Sequence, residues 1–140
     1  EFFKSNFKNS GNRVTFIDLG CGPMTSGLAI NQHFSTVSKF CFNYIGIDIS
    51  NAMLKKAREF YEAGLFNKES KVRFENSMDD ISKDYWDSMF MLSTTVIINA
   101  SYLFGNLHKA TTEKLALQIN NLIDNYETNK YIFVYQNSAF

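Results

Sequence analysis

The chain has 140 residues, of which 45% are hydrophobic and 20% are charged, a composition typical of one globular domain. Fourteen basic and fourteen acidic residues give a formal net charge of zero, so no overall charge favours binding to nucleic acid or to a membrane surface. Two cysteines, Cys21 and Cys41, are too few for a disulfide framework, and we expect free thiols in the reducing cytoplasm.

The sequence contains no apolar run near the roughly 20 residues of a membrane span and no visible signal peptide. We therefore expect a single domain over residues 1–140 without a membrane anchor. The first residue is Glu1 rather than methionine, which is consistent with a fragment of a longer protein. Residues 1–12 are polar and predict a leader or a frayed helix.

The chain reads as strands alternating with helices, the pattern of a parallel sheet that is covered on its faces by helices. Strands are predicted over 14–19, 43–48, 71–75, 95–99 and 130–136. Helices are predicted over 26–34, from a Ser50 N-cap to Gly64 as C′ residue, over 82–92, and over 112–126 with Thr111 as cap. The segment 85–92 taken alone fits either a strand or a helix, and the β-branched run that follows favours the helix.

The first strand ends at Asp18 and is followed by Gly20 and Gly22 before a helix begins. Strand, glycine turn and helix in this order are typical of a nucleotide-binding loop, because glycines let a ligand lie against the main chain. A carboxylate at Asp18, two residues before the first glycine, would point at the ligand. It suits an ammonium or a hydroxyl group better than a pyrophosphate.

A second acidic residue, Asp48, ends the second strand. A carboxylate at the tip of this strand can accept hydrogen bonds from both hydroxyls of a ribose. We expect Asp18 and Asp48 to stand side by side at the carboxyl edge of the sheet, where ligands bind in open parallel sheets.

Two stretches resemble the first and second motifs of the class I S-adenosylmethionine-dependent methyltransferases: Asp18-Leu19-Gly20-Cys21-Gly22-Pro23, and Gly46-Ile47-Asp48-Ile49-Ser50 followed by Met53, Leu54 and Ala57. The resemblance covers the five predicted strands. It implies an α/β three-layer sandwich with a Rossmann-like, mainly parallel sheet in the order 3-2-1-4-5, in which the usual terminal β-hairpin is missing. It also implies S-adenosylmethionine as the cofactor and methyl transfer to an unidentified acceptor, with a small molecule favoured.

The resemblance assigns roles to the residues of the first motif. Gly20, Cys21 and Gly22 would lie against the methionine portion of the cofactor. Asp18 would receive the α-ammonium group, directly or through water. Many members carry a third glycine where this chain has Met24, which would narrow the loop or alter the packing of the first helix.

The second motif and the segment after strand three would hold the adenosine. Asp48 would bind the ribose hydroxyls, and Ile49 would pack on the adenine. Ser77 and Met78 are the expected neighbours of the adenine amino group, with Asp79 as an alternative. The acid that the family usually places after strand three is displaced or missing.

The end of strand four is the expected acceptor site, and Asn99 is also assigned to the cofactor-binding set. Asn99 and Tyr102 match the spacing of the Asp/Asn-Pro-Pro-Tyr/Phe motif of amino-group methyltransferases, without its prolines. One interpretation is an amine acceptor held by Asn99 and stacked on Tyr102. The other is a polar strand end followed by a core aromatic residue.

Neither a catalytic base nor a metal site is predicted, because the isolated His33 and His108 lack metal-ligand spacing. His33 is expected on a helix surface, and His108 is a weak candidate for a base near the acceptor. The last strand is expected to present an open edge that invites pairing with another chain.

Two other functions remain open on the sequence. The first is a methyltransferase-like module that binds a cofactor or a partner without activity of its own. The second is an NAD-binding Rossmann oxidoreductase. The third glycine of the NAD motif is replaced by Thr25, and that motif has no carboxylate at the position of Asp18.

Overall fold

A computed structural model of the protein describes residues 13–34, 42–66, 69–91, 93–101, 103 and 107–136. The strands are β1 (Arg13–Leu19), β2 (Phe42–Ile47), β3 (Val72–Glu75), β4 (Ser93–Asn99) and β5 (Lys130–Val134). The helices are α1 (Thr25–Phe34), α2 (Asn51–Glu62), α3 (Lys83–Phe90) and α4 (Lys109–Asn125), and a short 3-10 turn covers Met78–Asp80. The predicted leader over 1–12 lies outside the described residues.

The five strands form one sheet in the order β3-β2-β1-β4-β5, and all neighbouring strands pair in parallel. Asp18 of β1 stands opposite Gly46 of β2 and opposite Asn99 of β4. The carboxyl ends of these three strands therefore lie together at one edge of the sheet. The predicted α/β fold class and strand order are confirmed.

Helices cover both faces of the sheet, which makes the three layers. Residues of α3 and α4 pack on one face with Ile17, Ile45 and Ile98. Residues of α1 and α2 pack on the other face with Phe16, Tyr44 and Ile97. The central strands are apolar on both sides because both sides are buried, as is typical of parallel sheets.

The predicted start and stop of α2 are confirmed. The Ser50 hydroxyl accepts the N–H of Met53 at 3.3 Å, which satisfies a free donor of the first turn. Gly64 follows the helix with a φ angle of +78°, the left-handed conformation expected of a C′ glycine. Leu54 and Ala57 form the buried side of this helix.

The predicted helix before β4 is also confirmed. It begins after Ser82, whose hydroxyl accepts the N–H of Tyr85 at 3.2 Å. Trp86, Met89 and Phe90 on this helix are buried against the sheet. Apolar residues at this spacing require a helix, because in a strand they would point to both faces.

Some predicted boundaries are wrong. The cap of α4 is not Thr111, which lies inside the helix, because the first turn already closes with the N–H of Thr112 donating to the carbonyl of His108 at 3.0 Å. The 3-10 turn at Met78–Asp80 was not predicted. Strand β2 ends at Ile47, one residue before Asp48, and β5 ends at Val134 rather than at 136.

Strand β5 lies at one edge of the sheet that the described residues form. Phe133 on this strand is half exposed. The predicted pairing of this edge with another chain stays a prediction. None of the described helices is long and apolar enough to cross a lipid bilayer.

Candidate functional site

The loop between β1 and α1 crosses the carboxyl end of β2. Gly20 and Gly22 have φ angles of +69° and +54°, a left-handed backbone that glycine adopts without steric cost. The N–H of Gly20 donates to the carbonyl of Ile47 at 2.8 Å. We call residues 20–23 the glycine loop. Its hydrogen bond to β2 holds it over the edge where the strands end.

Met24 follows the glycine loop with a φ angle of +70°. This backbone conformation costs a residue with a Cβ atom about 1–2 kcal/mol. The side chain of Met24 is fully buried among the residues on the α1 and α2 side of the sheet, which offsets that cost. The turn is therefore kept although the third glycine of the resembled family is absent.

The Asp48 carboxylate connects the end of β2 to the glycine loop. Its Oδ2 accepts the N–H of Gly22 at 2.9 Å, and its Oδ1 accepts the N–H of Ser50 at 2.8 Å. A carboxylate has about four acceptor positions, so each oxygen keeps capacity for one further donor. Asp48 is half-buried and is therefore within reach of a ligand.

A pocket of about 260 Å³ opens beside Asp48 and Gly20. Its inner surface is apolar, formed by Leu19 and Ile47 at the strand ends and by Met78 in the 3-10 turn. An apolar pocket with few polar groups is the usual form of a small-molecule site.

Ile49 stands at this pocket with 84% of its side-chain surface exposed. Full burial of a large aliphatic side chain is more favourable than its exposure to water by about 1.5–3 kcal/mol of free energy. Asn76 and Ser77 lie on the same part of the wall. A flat apolar ligand held against Ile49 would recover part of that free energy.

Helix α4 and the residue Leu107 before it form the opposite wall, with Thr111, Lys114, Leu115 and Gln118. These residues recur at helical spacing and so share one side of the helix. None of these residues was predicted to contact a ligand. The polar positions 111, 114 and 118 on the same side were the signal that was missed.

Asp79 is turned toward α4. Gln118 Nε2 donates to its Oδ1 at 2.8 Å, and Lys114 Nζ lies 3.1 Å from its Oδ2. These two contacts lower the pKa of Asp79 below its ordinary value. Asp79 is not among the residues that line the pocket, whereas Ser77 and Met78 are. Which of these residues neighbours the adenine amino group stays a prediction.

Asp18 lies beneath the glycine loop and is 1% exposed. The hydroxyl of Tyr44 donates to its Oδ2 at 2.6 Å, and Nδ2 of Asn99 donates to its Oδ1 at 2.8 Å. Burial raises the pKa of Asp18, although the two hydrogen bonds act in the opposite direction. The carboxylate is near Asp48 as predicted, but it does not line the pocket.

Asn99 is buried at the end of β4, and both the nitrogen and the oxygen of its side-chain amide form hydrogen bonds. Its Nδ2 donates to Asp18, and its Oδ1 accepts the hydroxyl of Ser101 at 2.7 Å. An amine acceptor held by Asn99 would have to share that oxygen with Ser101. Tyr102, the other predicted acceptor residue, lies outside the described residues.

Cys21 fills the space between the two carboxylates. It is buried, and burial together with Asp18 and Asp48 raises the pKa of its thiol to about 12. Such a thiol is not a nucleophile at neutral pH. Cys21 packs as a small buried side chain in the core on the α1 and α2 side of the sheet.

The structure divides the predicted cofactor residues into two groups. Gly20, Asp48, Ile49, Ser77 and Met78 line the pocket. The others, Asp18, Cys21, Gly22 and Asn99, support the glycine loop and the strand ends around it. Their contacts with a cofactor stay predictions.

Within the described part of the chain, no group of three or more His, Cys, Asp or Glu side chains is placed to hold a metal ion. His33 is exposed on α1, as expected. His108 is exposed directly before α4 and does not line the pocket.

No protein-family model and no curated protein match the sequence. Two solved structures share the fold. PKMT2 from Rickettsia typhi is 16% identical with a TM-score of 0.51, covering 77% of this chain and 18% of that one. A proposed S-adenosyl-L-methionine-dependent methyltransferase from Methanococcus maripaludis is 15% identical with a TM-score of 0.50, covering 96% of this chain and 52% of that one.

The chain thus spans at most about half the length of these two proteins. At 15–16% identity the likeness concerns the fold. The resemblance in the sequence implied a sheet in the order 3-2-1-4-5, and the structure has an all-parallel sheet in that order with helices on both faces. The protein has a Rossmann-like α/β fold, which it shares with both of these solved structures.

Proposed function

We propose that this protein binds S-adenosylmethionine in the pocket between the strand ends and α4, and that it transfers the methyl group to an acceptor, with a small molecule favoured. The observation that carries the proposal is the placement of Asp48. Its two oxygens keep free acceptor positions at the pocket, beside the glycine loop that they help to hold. Two neighbouring hydroxyls of a ribose fit that pair of oxygens.

The residues around Asp48 fit the rest of an adenosine. Ile49 offers an exposed aliphatic surface for the adenine ring, and Met78 offers a second apolar contact. The Ser77 hydroxyl stands on the same wall and can accept a hydrogen bond from the adenine amino group. Gly20 allows the ligand to approach the main chain beside the pocket.

When bound, S-adenosylmethionine supplies a methyl group that its sulfonium already makes electrophilic. The contribution of the protein is then to hold the adenosine, to exclude water and to align the acceptor. The pocket walls of this chain would hold the adenosine and exclude water. We assign no general base.

A second candidate is a cofactor-binding module that acts through a partner or through further sequence. The observation in its favour is that Oδ1 of Asn99 already accepts the Ser101 hydroxyl, so an amine at the end of β4 would have to share that oxygen. An assay of methyl transfer with the protein alone, compared with its ability to bind cofactor, separates the two candidates.

Isothermal titration calorimetry with S-adenosylmethionine, S-adenosylhomocysteine and NAD tests the proposal. We expect both sulfur ligands to bind and NAD to bind much more weakly. Binding of NAD in preference to both sulfur ligands would support the oxidoreductase instead. Absence of binding by either sulfur ligand would remove the methyltransferase proposal.

A further inference from the structure

A continuous set of hydrogen bonds runs across three strands below the glycine loop. The Tyr44 hydroxyl of β2 donates to Asp18 of β1 at 2.6 Å, and Nδ2 of Asn99 in β4 donates to Asp18 at 2.8 Å. The chain of bonds continues from Asn99 Oδ1 to the Ser101 hydroxyl at 2.7 Å. We call Tyr44, Asp18, Asn99 and Ser101 the strand-end network.

The strand-end network is separated from the pocket. Asp18 is 1% exposed, Tyr44 is 0% exposed and Asn99 is 5% exposed, and none of them lines the pocket. Leu103 packs directly on Gly20, where its Cδ1 atom would lie 2.9 Å from a Cβ atom placed on that glycine. Among the described residues, the charged ones that line the pocket are Asp48 and Lys114.

We propose that Asp18 is a positioning residue, held by Tyr44 and Asn99, which sets the positions of the strand ends and of the glycine loop that follows it. The inference rests on the function proposed above. It replaces the predicted contact of Asp18 with an α-ammonium group, because the carboxylate is 1% exposed, is held by Tyr44 and Asn99, and is not among the residues that line the pocket.

The proposal has a consequence for ligand choice. The contacts available at the pocket fit ribose and adenine, through Asp48, Ile49 and Ser77. A nucleoside thioether without the amino-acid portion separates the two possible roles of Asp18, because it keeps the ribose and the adenine but has no ammonium group. The probe is 5′-methylthioadenosine, which keeps the adenosine and the sulfur of S-adenosylhomocysteine and lacks its ammonium and carboxylate groups.

The experiment compares the affinities of both ligands by calorimetry in the wild type and in Asp18→Asn. If Asp18 positions the loop, the variant weakens both ligands by the same factor, within about twofold. If Asp18 binds the ammonium group directly, S-adenosylhomocysteine loses on the order of tenfold or more while 5′-methylthioadenosine is unchanged. That selective loss overturns the proposal, as does an unchanged affinity for both ligands.

The double variant Asp18→Asn/Asn99→Asp provides the matched control. It exchanges the carboxylate and the amide, so that the amide at 18 donates to the carboxylate at 99 and the Tyr44 and Ser101 hydroxyls keep their acceptors. We expect this exchange to recover the affinity of both ligands to within about threefold of the wild type. If the affinities of the double variant do not recover, the role of Asp18 does not depend on this hydrogen-bond pattern, and the proposal is contradicted.

Tyr44→Phe keeps the proposal testable if Asp18→Asn does not fold. Removal of the Tyr44 hydroxyl leaves the Asp18 charge in place but removes one of its two donors. We expect equal weakening of both ligands, measured at a temperature at which the ligand-free variant is folded. An unchanged affinity for both ligands, or a change confined to S-adenosylhomocysteine, would overturn the proposal. If the wild type binds neither ligand, it is the proposed function that fails.

Discussion

Oδ2 of Asp48 accepts the backbone N–H of Gly22 at 2.9 Å, across 26 positions of sequence. The same carboxylate accepts the N–H of Ser50 at the start of α2. One side chain thus connects the glycine loop, the end of β2 and the next helix. A ligand bound to the free positions of this carboxylate would contact a group that is already held in place, which reduces the entropy that binding must overcome.

The first prediction concerns the residue that replaces the expected acid after β3. Ser77 lines the pocket, and its hydroxyl accepts the N–H of Asp79. We expect Ser77→Asp to strengthen S-adenosylhomocysteine binding several-fold, because aspartate also caps a turn and its carboxylate is a stronger acceptor for an adenine amino group. Calorimetry measures the change.

The control for Ser77→Asp is Ser82→Asp, which makes the same replacement at another N-cap outside the pocket. We expect no change in affinity in that variant. Weaker binding in Ser77→Asp than in the wild type would show that position 77 does not face the adenine amino group.

A second prediction concerns the buried amide of Asn43 in β2. Asn43 is 0% exposed, and neither its Nδ2 nor its Oδ1 has a hydrogen-bond partner among the residues that the structure describes. A buried polar group without a partner costs about 1–3 kcal/mol. We therefore expect Asn43→Leu to raise the free energy of unfolding by about 1–2 kcal/mol in urea denaturation.

Asn99→Leu is the matched control, since it makes the same change at a buried asparagine whose amide is fully paired. That variant should be less stable than the wild type by about 2–4 kcal/mol, because Asp18 and Ser101 lose their partner. The interpretation of Asn43 is contradicted if both substitutions destabilise the protein to the same extent.

The third prediction is a pH dependence that comes from Asp18. Burial raises the pKa of this carboxyl in the folded state above the ordinary value of 3.8. Between 3.8 and the raised pKa, the folded state binds more protons than the unfolded state, so the free energy of unfolding falls as pH rises through this range. The free energy of unfolding of the wild type minus that of Asp18→Asn should therefore fall as pH rises through this range.

The comparison with Asp18→Asn removes the contributions of other carboxyl groups. Asp79 and Asp87 have lowered pKa values and act with the opposite sign, since the stability they contribute is lost as pH falls. Asp79 and Asp87 are present in both the wild type and Asp18→Asn, so their contributions cancel in the difference between the two free energies of unfolding. A difference that rises with pH over the same range would mean that the pKa of Asp18 is lowered.

A fourth prediction concerns the reactivity of Cys21. A thiol pKa of about 12 makes the thiolate fraction on the order of a thousandfold smaller than in a free cysteine. In a Cys41→Ser variant, we expect iodoacetamide at pH 8 to label Cys21 very slowly in the folded protein and rapidly in urea. Equal labelling rates in the two states would show that Cys21 is accessible and ionised.

The sequence was sufficient for the fold because its signals are local and agree with one another. The Ser50 cap, the Gly64 terminus and the apolar run of β1 each indicate one element, and the alternation of elements indicates the parallel sheet. The boundary error at the start of α4 arises because the cap of that helix uses no side chain. His108 stands at the N-cap position of α4 without a capping side-chain bond, so Thr111 was the more persuasive residue.

The site was predicted less completely, because a sequence motif identifies a residue without giving its surroundings. Asp48 and Ile49 are at the pocket, as the second motif implied. The position of the Asp18 carboxylate depends on Tyr44, whose hydroxyl donates a hydrogen bond to it. In the sequence, Tyr44 is recognisable only as a residue of a strand. The α4 wall was missed because its polar residues lie far along the chain from both motifs.

The central claim is that Asp48 holds the ribose of an adenosine ligand, and the calorimetric affinity of S-adenosylhomocysteine for Asp48→Ala tests it most directly. Asp84→Ala, an exposed carboxylate on α3 away from the pocket, is the control. We predict that Asp48→Ala weakens binding by about 1–3 kcal/mol while Asp84→Ala leaves it unchanged. An unchanged affinity in a folded Asp48→Ala variant would contradict the claim.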